Sequence, residues 1–151
     1  MKSTLFLGLA FLAFSLGTAC NKDDQAEKDR QAIQQYLTGH SLSATEHSSG
    51  IFYILGTPGS GGNPTISSTV TVRYKGYYLD GVVFDQTNGS DTVQFPLSGL
   101  ISGWQIAIPL LQKGGKGTFF IPSGLGYGSN PPFGVRADAV LVFEIELVDF
   151  K

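Results

Sequence analysis

Tyr74, Phe84 and Asp85 are the residues around which this chain could build a chemical site. They lie in the stretch V-T-V-R-Y-K-G-Y-Y-L-D-G-V-V-F-D at positions 70–85. Its first half alternates like a strand, with Val70, Val72 and Tyr74 on one side and Thr71, Arg73 and Lys75 on the other. Asp80-Gly81 is a strong two-residue hairpin signal, and Val82-Val83-Phe84-Asp85 resumes as the returning strand. An aromatic residue leads in, and an aromatic–acid pair leads out. Such a ribbon can line a small apolar cleft and hold one carboxylate at its edge.

Covalent and proton-transfer chemistry lack their usual residues. The single cysteine, Cys20, and both histidines, His40 and His47, precede the globular part, so no Ser/His or Cys/His nucleophile can be assembled there. Of possible metal partners the histidines have only Glu46 nearby, which reads as solvated imidazoles and no metal site. The glycines between 56 and 62 do not join a core strand to a helix, as a phosphate-binding loop would. A carboxylate pair would need Asp80, Asp85, Asp91 or Asp138; Asp80 belongs to its turn, and nothing pairs the others. A formal net charge of −2 with scattered lysines leaves no basic stripe for nucleic acid. What remains is a set of aromatic and aliphatic groups with few polar tips.

The elements that would position these groups follow from pattern. Residues 24–37 favour a helix with Ile33, Tyr36 and Leu37 as its apolar face, and Gly39 can end it. Residues 40–50 are polar and Ser-rich, which predicts a linker. Ile51-Phe52-Tyr53-Ile54-Leu55 is a short strand, and 56–68 a flexible Gly/Ser/Pro loop. Residues 93–97 are extended, with Pro96 marking a strand end or edge. Residues 102–111 form a short helix around Trp104, limited to two or three turns by Pro109. Residues 116–121 are a strand, 122–138 a long Gly/Pro loop, and 139–150 the clearest strand of all. There Leu141, Phe143, Ile145 and Leu147 alternate with Val142, Glu144, Glu146 and Val148. The fold class is α+β: an antiparallel sheet wrapped over one short α-helix, preceded by a short N-terminal helix.

Residues 1–19 carry one charge, Lys2, then an uncharged apolar run and the small residues Gly17, Thr18 and Ala19 before Cys20. This reads as a signal peptide, with an apolar run too short for a comfortable membrane span. A lone cysteine directly after such a segment resembles the lipidation site of bacterial lipoproteins, although Gly17 occupies the usual leucine position and Leu16 lies one place early. The alternative is an ordinary leader with an incidental cysteine. Asn21-Lys22-Asp23-Asp24-Gln25 is either a solvated linker or the acidic tract that follows the cysteine in some surface-exported lipoproteins. The expected organisation is a leader at 1–19, a lipidated tether with a short helix at 20–49, and one domain at 50–151. Membrane attachment would be through lipid alone.

The stretch at 70–85 resembles the first half of the FKBP-type peptidyl-prolyl cis-trans isomerase signature. Leu100-Ile101-Ser102-Gly103-Trp104, Lys113-Gly114-Gly115-Lys116, Ile121-Pro122, Leu125-Gly126-Tyr127-Gly128 and Leu141-Val142-Phe143-Glu144 follow in that family's order. The resemblance implies that Tyr74, Phe84, Trp104 and Phe143 wall a proline pocket, with the Trp104 indole as its floor. It implies that Leu100 and Ile101 form a lip, that the Ile101 N–H and the Tyr127 hydroxyl bind substrate carbonyls, and that Asp85 sits at the rim, hydrogen-bonded to Tyr74. Val93 stands where some members have a pocket aromatic, leaving Phe95 as the nearest substitute. Val135-Arg136-Ala137 replaces the family's common Ile-Pro-Pro, so Val135 would be the flap contact and Arg136 could alter the preference for the residue before proline. Core packing alone would also explain Tyr74, Phe84 and Phe143 on their strands. Trp104 and Tyr127 are harder to dismiss, since a short helix and a loop need no such large rings.

The implied function is prolyl isomerisation on exported polypeptides in the cell envelope, lipid-anchored to a bacterial membrane, with no cofactor and with macrolide immunophilin ligands as further binders. The alternative is a non-catalytic chaperone or adhesin that uses the same cleft.

Overall fold

The computed structural model describes residues 22–151. The expected leader at 1–19 and the expected lipidation site at Cys20 lie outside the described residues. The sheet is built around β7 (Leu141–Phe150), which pairs on one side with β6 (Lys116–Ile121) and on the other with β3 (Thr69–Tyr78). β6 continues to β2 (Phe52–Leu55) and then to β1 (Thr45–Glu46). Along the far edge of β3, two short strands follow one another. β5 (Val93–Pro96) pairs with its first half and β4 (Val83–Gln86) with its second. Every pairing is antiparallel, as expected for strands joined by hairpins and loops.

The period of two assigns the faces. Phe119 and Ile121 on β6, and Leu141, Phe143, Ile145 and Leu147 on β7, pack in one buried cluster with Trp104, Ala107 and Ile108. That face wraps α2 (Ser102–Ala107), as the alternation predicts. Pro109 limits α2 as expected. It has no N–H and its ring would crowd the carbonyl four residues back, so the chain leaves α2 through a 3₁₀ turn at Ile108–Leu110. Gly103 permits the close approach of α2, because a Cβ there would fall within the Ile121 side chain.

The opposite face is covered by α1 (Lys22–Gly39). Ile33 and Leu37 are buried with Phe52, Phe120, Val140 and Val142, and Tyr36 packs beside them. This matches the apolar face read from the sequence and shows what it covers.

Two connecting segments are more ordered than their composition suggests. Within 40–50, Thr45 and Glu46 pair with Tyr53 and Phe52, and Arg30 of α1 donates two hydrogen bonds to Glu46 at 2.8 and 2.9 Å. The 56–68 loop is strapped rather than flexible: Asn63 Nδ2 donates to the Pro109 and Leu111 carbonyls, and Gln112 Nε2 to that of Gly61. Gly59 has φ +79°, and a Cβ there would meet the Lys113 carbonyl at 2.7 Å, so only glycine lets the strap close.

Candidate functional site

A cavity of about 240 Å³ opens on the α2 side of the sheet, lined by Tyr74, Asp85, Phe95, Leu100, Ile101, Trp104, Tyr127 and Phe143. Three strand residues stand around the indole: Tyr74 on β3, Phe95 on β5 and Phe143 on β7. Their rings meet Trp104 edge-on at 85°, 82° and 90°, with centroids 5.1, 6.3 and 5.2 Å away. Edge-to-face packing puts the positive rim of one ring against the negative face of another, so the walls hold the indole in place. Trp104 is only 4% exposed, and its Nε1–H is buried without an acceptor among the described residues. An unpaired buried donor costs about 1–3 kcal/mol, a penalty that a phenylalanine at this core position would avoid.

Polar groups occupy the rim. The Tyr74 hydroxyl donates to Asp85 Oδ2 at 2.6 Å, a bond the family resemblance implied. Burial pushes the Tyr74 phenol well above its ordinary range, and the neighbouring carboxylate adds to the shift. Tyr127 follows the 3₁₀ turn at Ser123–Leu125 and is 36% exposed. Its phenol is also pushed up, chiefly by burial and then by the charge of Asp85. Its hydroxyl has no hydrogen-bond acceptor among the described residues.

The entry to α2 supplies a second free donor. Ile101 has extended backbone (φ −56°, ψ 148°), and its carbonyl accepts from the Trp104 and Gln105 N–H groups. Its own N–H has no acceptor among the described residues. Gln105 braces this lip by donating from Nε2 to the Leu100 carbonyl at 2.7 Å and the Ser98 carbonyl at 3.2 Å. The sequence reading did not single out Gln105, and only its spacing of four from Ile101 hints at the role.

Two expected site residues stand away from the lining. Phe84 packs edge-on against Phe143 at 5.5 Å and tilted against Tyr78 at 5.0 Å, so it buttresses the Phe143 wall. Val135 is half-buried in the 122–138 loop, its N–H bonded to the Pro132 carbonyl. Arg136 is occupied at the hairpin turn. Its guanidinium bonds Asp80 at 2.6 Å and lies 4.2 Å from the Tyr78 ring centre, and its N–H donates to the Tyr78 hydroxyl. The pocket thus offers an apolar floor, aromatic walls and two uncommitted donors on opposite segments. It can desolvate a small ring and bind the carbonyls beside it.

Comparison with known proteins shows the family. The family model described as FKBP-type peptidyl-prolyl cis-trans isomerase matches residues 61–148. A probable FKBP-type peptidyl-prolyl cis-trans isomerase FkpA of Neisseria meningitidis is 42% identical over 126 residues, covering 81% of this chain and 45% of the relative. The outer membrane protein MIP of Legionella longbeachae is 36% identical over 105 residues, covering 68% of this chain and 45% of that protein. The crystal structure of FkpA from Escherichia coli superposes with a TM-score of 0.75 at 32% identity, covering 86% of this chain and 62% of that one. The chain spans about half the length of the curated relatives it matches.

Proposed function

The chain belongs to the FKBP-type peptidyl-prolyl cis-trans isomerase family, and on that premise we propose that it isomerises Xaa-Pro bonds in exported polypeptides within the pocket over Trp104. The observation that carries this reading is the Trp104 floor, ringed edge-on by Tyr74, Phe95 and Phe143, with free donors at Ile101 and Tyr127.

Twisting an amide crosses a barrier of about 18–20 kcal/mol, and uncatalysed prolyl isomerisation takes tens of seconds or longer. The planar amide is the more polar form, because resonance places negative charge on oxygen and water stabilises it. In the apolar pocket that help is withdrawn, while the twisted amide has less of it to lose. The Ile101 N–H and the Tyr127 hydroxyl would hold the flanking carbonyls in the twisted arrangement. A millionfold acceleration needs about 8 kcal/mol in all. Only contacts that strengthen in the twisted state contribute to it. Asp85 acts here by orienting Tyr74 rather than by moving a proton. Phe84 supports the wall, and Val135 contributes to the flap when a chain is bound. Macrolides that present a proline-like ring would compete for the same space.

The proposed organisation is a leader at 1–19, a lipid-bearing Cys20, and the isomerase domain from residue 50 with α1 packed onto it. Export to the cell envelope, with anchoring in the outer membrane, fits the apolar leader, its cysteine and the likeness to a protein named for the outer membrane. Among the described residues, no helix is long and apolar enough to cross a membrane.

A proline-peptide isomerisation assay tests the activity. We expect turnover by the purified protein and a loss of at least tenfold in kcat/KM for Trp104→Ala, with a smaller loss for Asp85→Ala, each tenfold corresponding to about 1.4 kcal/mol. Peptide binding without turnover would make the protein a binding module or chaperone instead. Cys20→Ala should move the protein from the membrane to the soluble fraction, and unchanged fractionation would refute the anchor.

A further inference from the structure

Asp29 lies on α1 and is only 3% exposed. Both carboxylate oxygens are engaged. Oδ2 accepts from the Ser123 N–H at 2.7 Å and from the Ser123 hydroxyl at 2.6 Å, and Oδ1 accepts from Gln25 Nε2 at 2.8 Å. Ser123 is 1% exposed, so this charge-assisted pair is shielded from water, where such bonds are strongest.

The chain then runs directly to the pocket. The Ser123 carbonyl accepts from the Gly126 N–H at 3.0 Å and from the Gly128 N–H at 2.9 Å. Those glycines are the two neighbours of Tyr127. The Gly128 carbonyl in turn accepts from the Asp138 N–H at 2.8 Å. Asp29 therefore holds the donor groups of Ser123, and the acceptor of Ser123 holds both sides of Tyr127. The other aromatic walls come from strands or from α2; Tyr127 alone hangs from this turn. α1 contributes no residue to the lining.

We infer that Asp29 is a positioning residue for Tyr127, setting through Ser123 the place from which the tyrosine hydroxyl meets substrate. The helix that precedes the domain thereby takes part in shaping its pocket. This rests on the proposed isomerase reading only in giving Tyr127 a substrate to meet.

A double-mutant cycle on the full-length chain separates positioning from general stability. Tyr127→Phe should lower kcat/KM about tenfold, the worth of one hydrogen bond. Asp29→Ala should lower it about fivefold at a temperature where circular dichroism shows the variant folded, and adding it to Tyr127→Phe should cost less than about twofold more. Asp29→Asn should recover most of the loss, because its amide oxygen can take the Ser123 donors while its NH₂ meets the turned amide oxygen of Gln25. Wild-type kcat/KM in folded Asp29→Ala overturns the inference whatever the fall in Tm, as do losses that multiply. Where Asp29→Ala does not fold, Ser123→Ala carries the same cycle, with multiplying losses again overturning it. If the wild type binds a proline peptide without turning it over, the isomerase reading fails alone. The cycle is then read on peptide Kd through Trp104 fluorescence, and the same pattern decides. A wild type that neither binds nor turns over overturns both.

Discussion

At Gly76, β3 passes beneath the rings of Phe84 and Phe143, and a Cβ there would stand 2.8 Å from Phe84 Cζ and 2.7 Å from Phe143 Cε1. Neither ring can retreat freely, since they pack edge-on against each other and Phe143 also walls the pocket. Gly76→Ala should therefore destabilise the protein by about 1–3 kcal/mol and weaken peptide binding as Phe143 tilts. An unchanged denaturation midpoint would remove this account of the glycine. Gly76 sits inside the motif that identified the family, yet its reason is visible only with both rings in place. The same limit applies to Phe84. Its type and spacing fit a wall residue, and only the packing shows its ring seated edge-on against Phe143. Asp85 and Tyr74 were the opposite case, because the family resemblance already implied their contact.

α1 shows how an element can be predicted without its purpose. Its apolar positions Ile33, Tyr36 and Leu37 are legible at helical spacing, and Ile33 proves fully buried against Phe52, Phe120 and Val142. Ile33→Ala should cost about 2–5 kcal/mol, read from urea unfolding of the intact chain. A cost below about 0.5 kcal/mol, usual for a surface site, would mean that α1 is a detachable tether. The loop at 56–68 misled composition in the other direction. Gly, Ser and Pro predicted mobility, but Asn63 and Gln112 tie the loop to the segment that leaves α2. Those partners are distant in sequence, so no local signal announces them.

For the molecule as a whole, three tyrosines couple stability to alkaline pH. Tyr74, Tyr77 and Tyr127 are all pushed above the ordinary phenol range, first by burial and then by nearby carboxylates or phenols. The folded protein thus keeps these protons more tightly than the unfolded chain. Their contribution is intact below about pH 10 and is lost as pH rises beyond it, where the unfolded state gives up protons that the folded state retains. Urea midpoints should hold between about pH 7 and pH 9 and fall by about pH 11; a midpoint that rises over the last interval would reverse the sign. Tyr127 remains a hydrogen-bond donor throughout the neutral range for the same reason. By itself the sequence determined the strands other than β1, the short helix with its proline limit, the family and the residue types of the pocket, because period, turn chemistry and motif order act over short spans of chain. Tertiary structure decided what α1 covers, that Phe84 packs edge-on against Phe143, that Arg136 is held at Asp80, and that Asp29 reaches Ser123. Those pairings join residues far apart in the chain. They exist only once the sheet topology has brought their elements together, so no local pattern of residues can specify them.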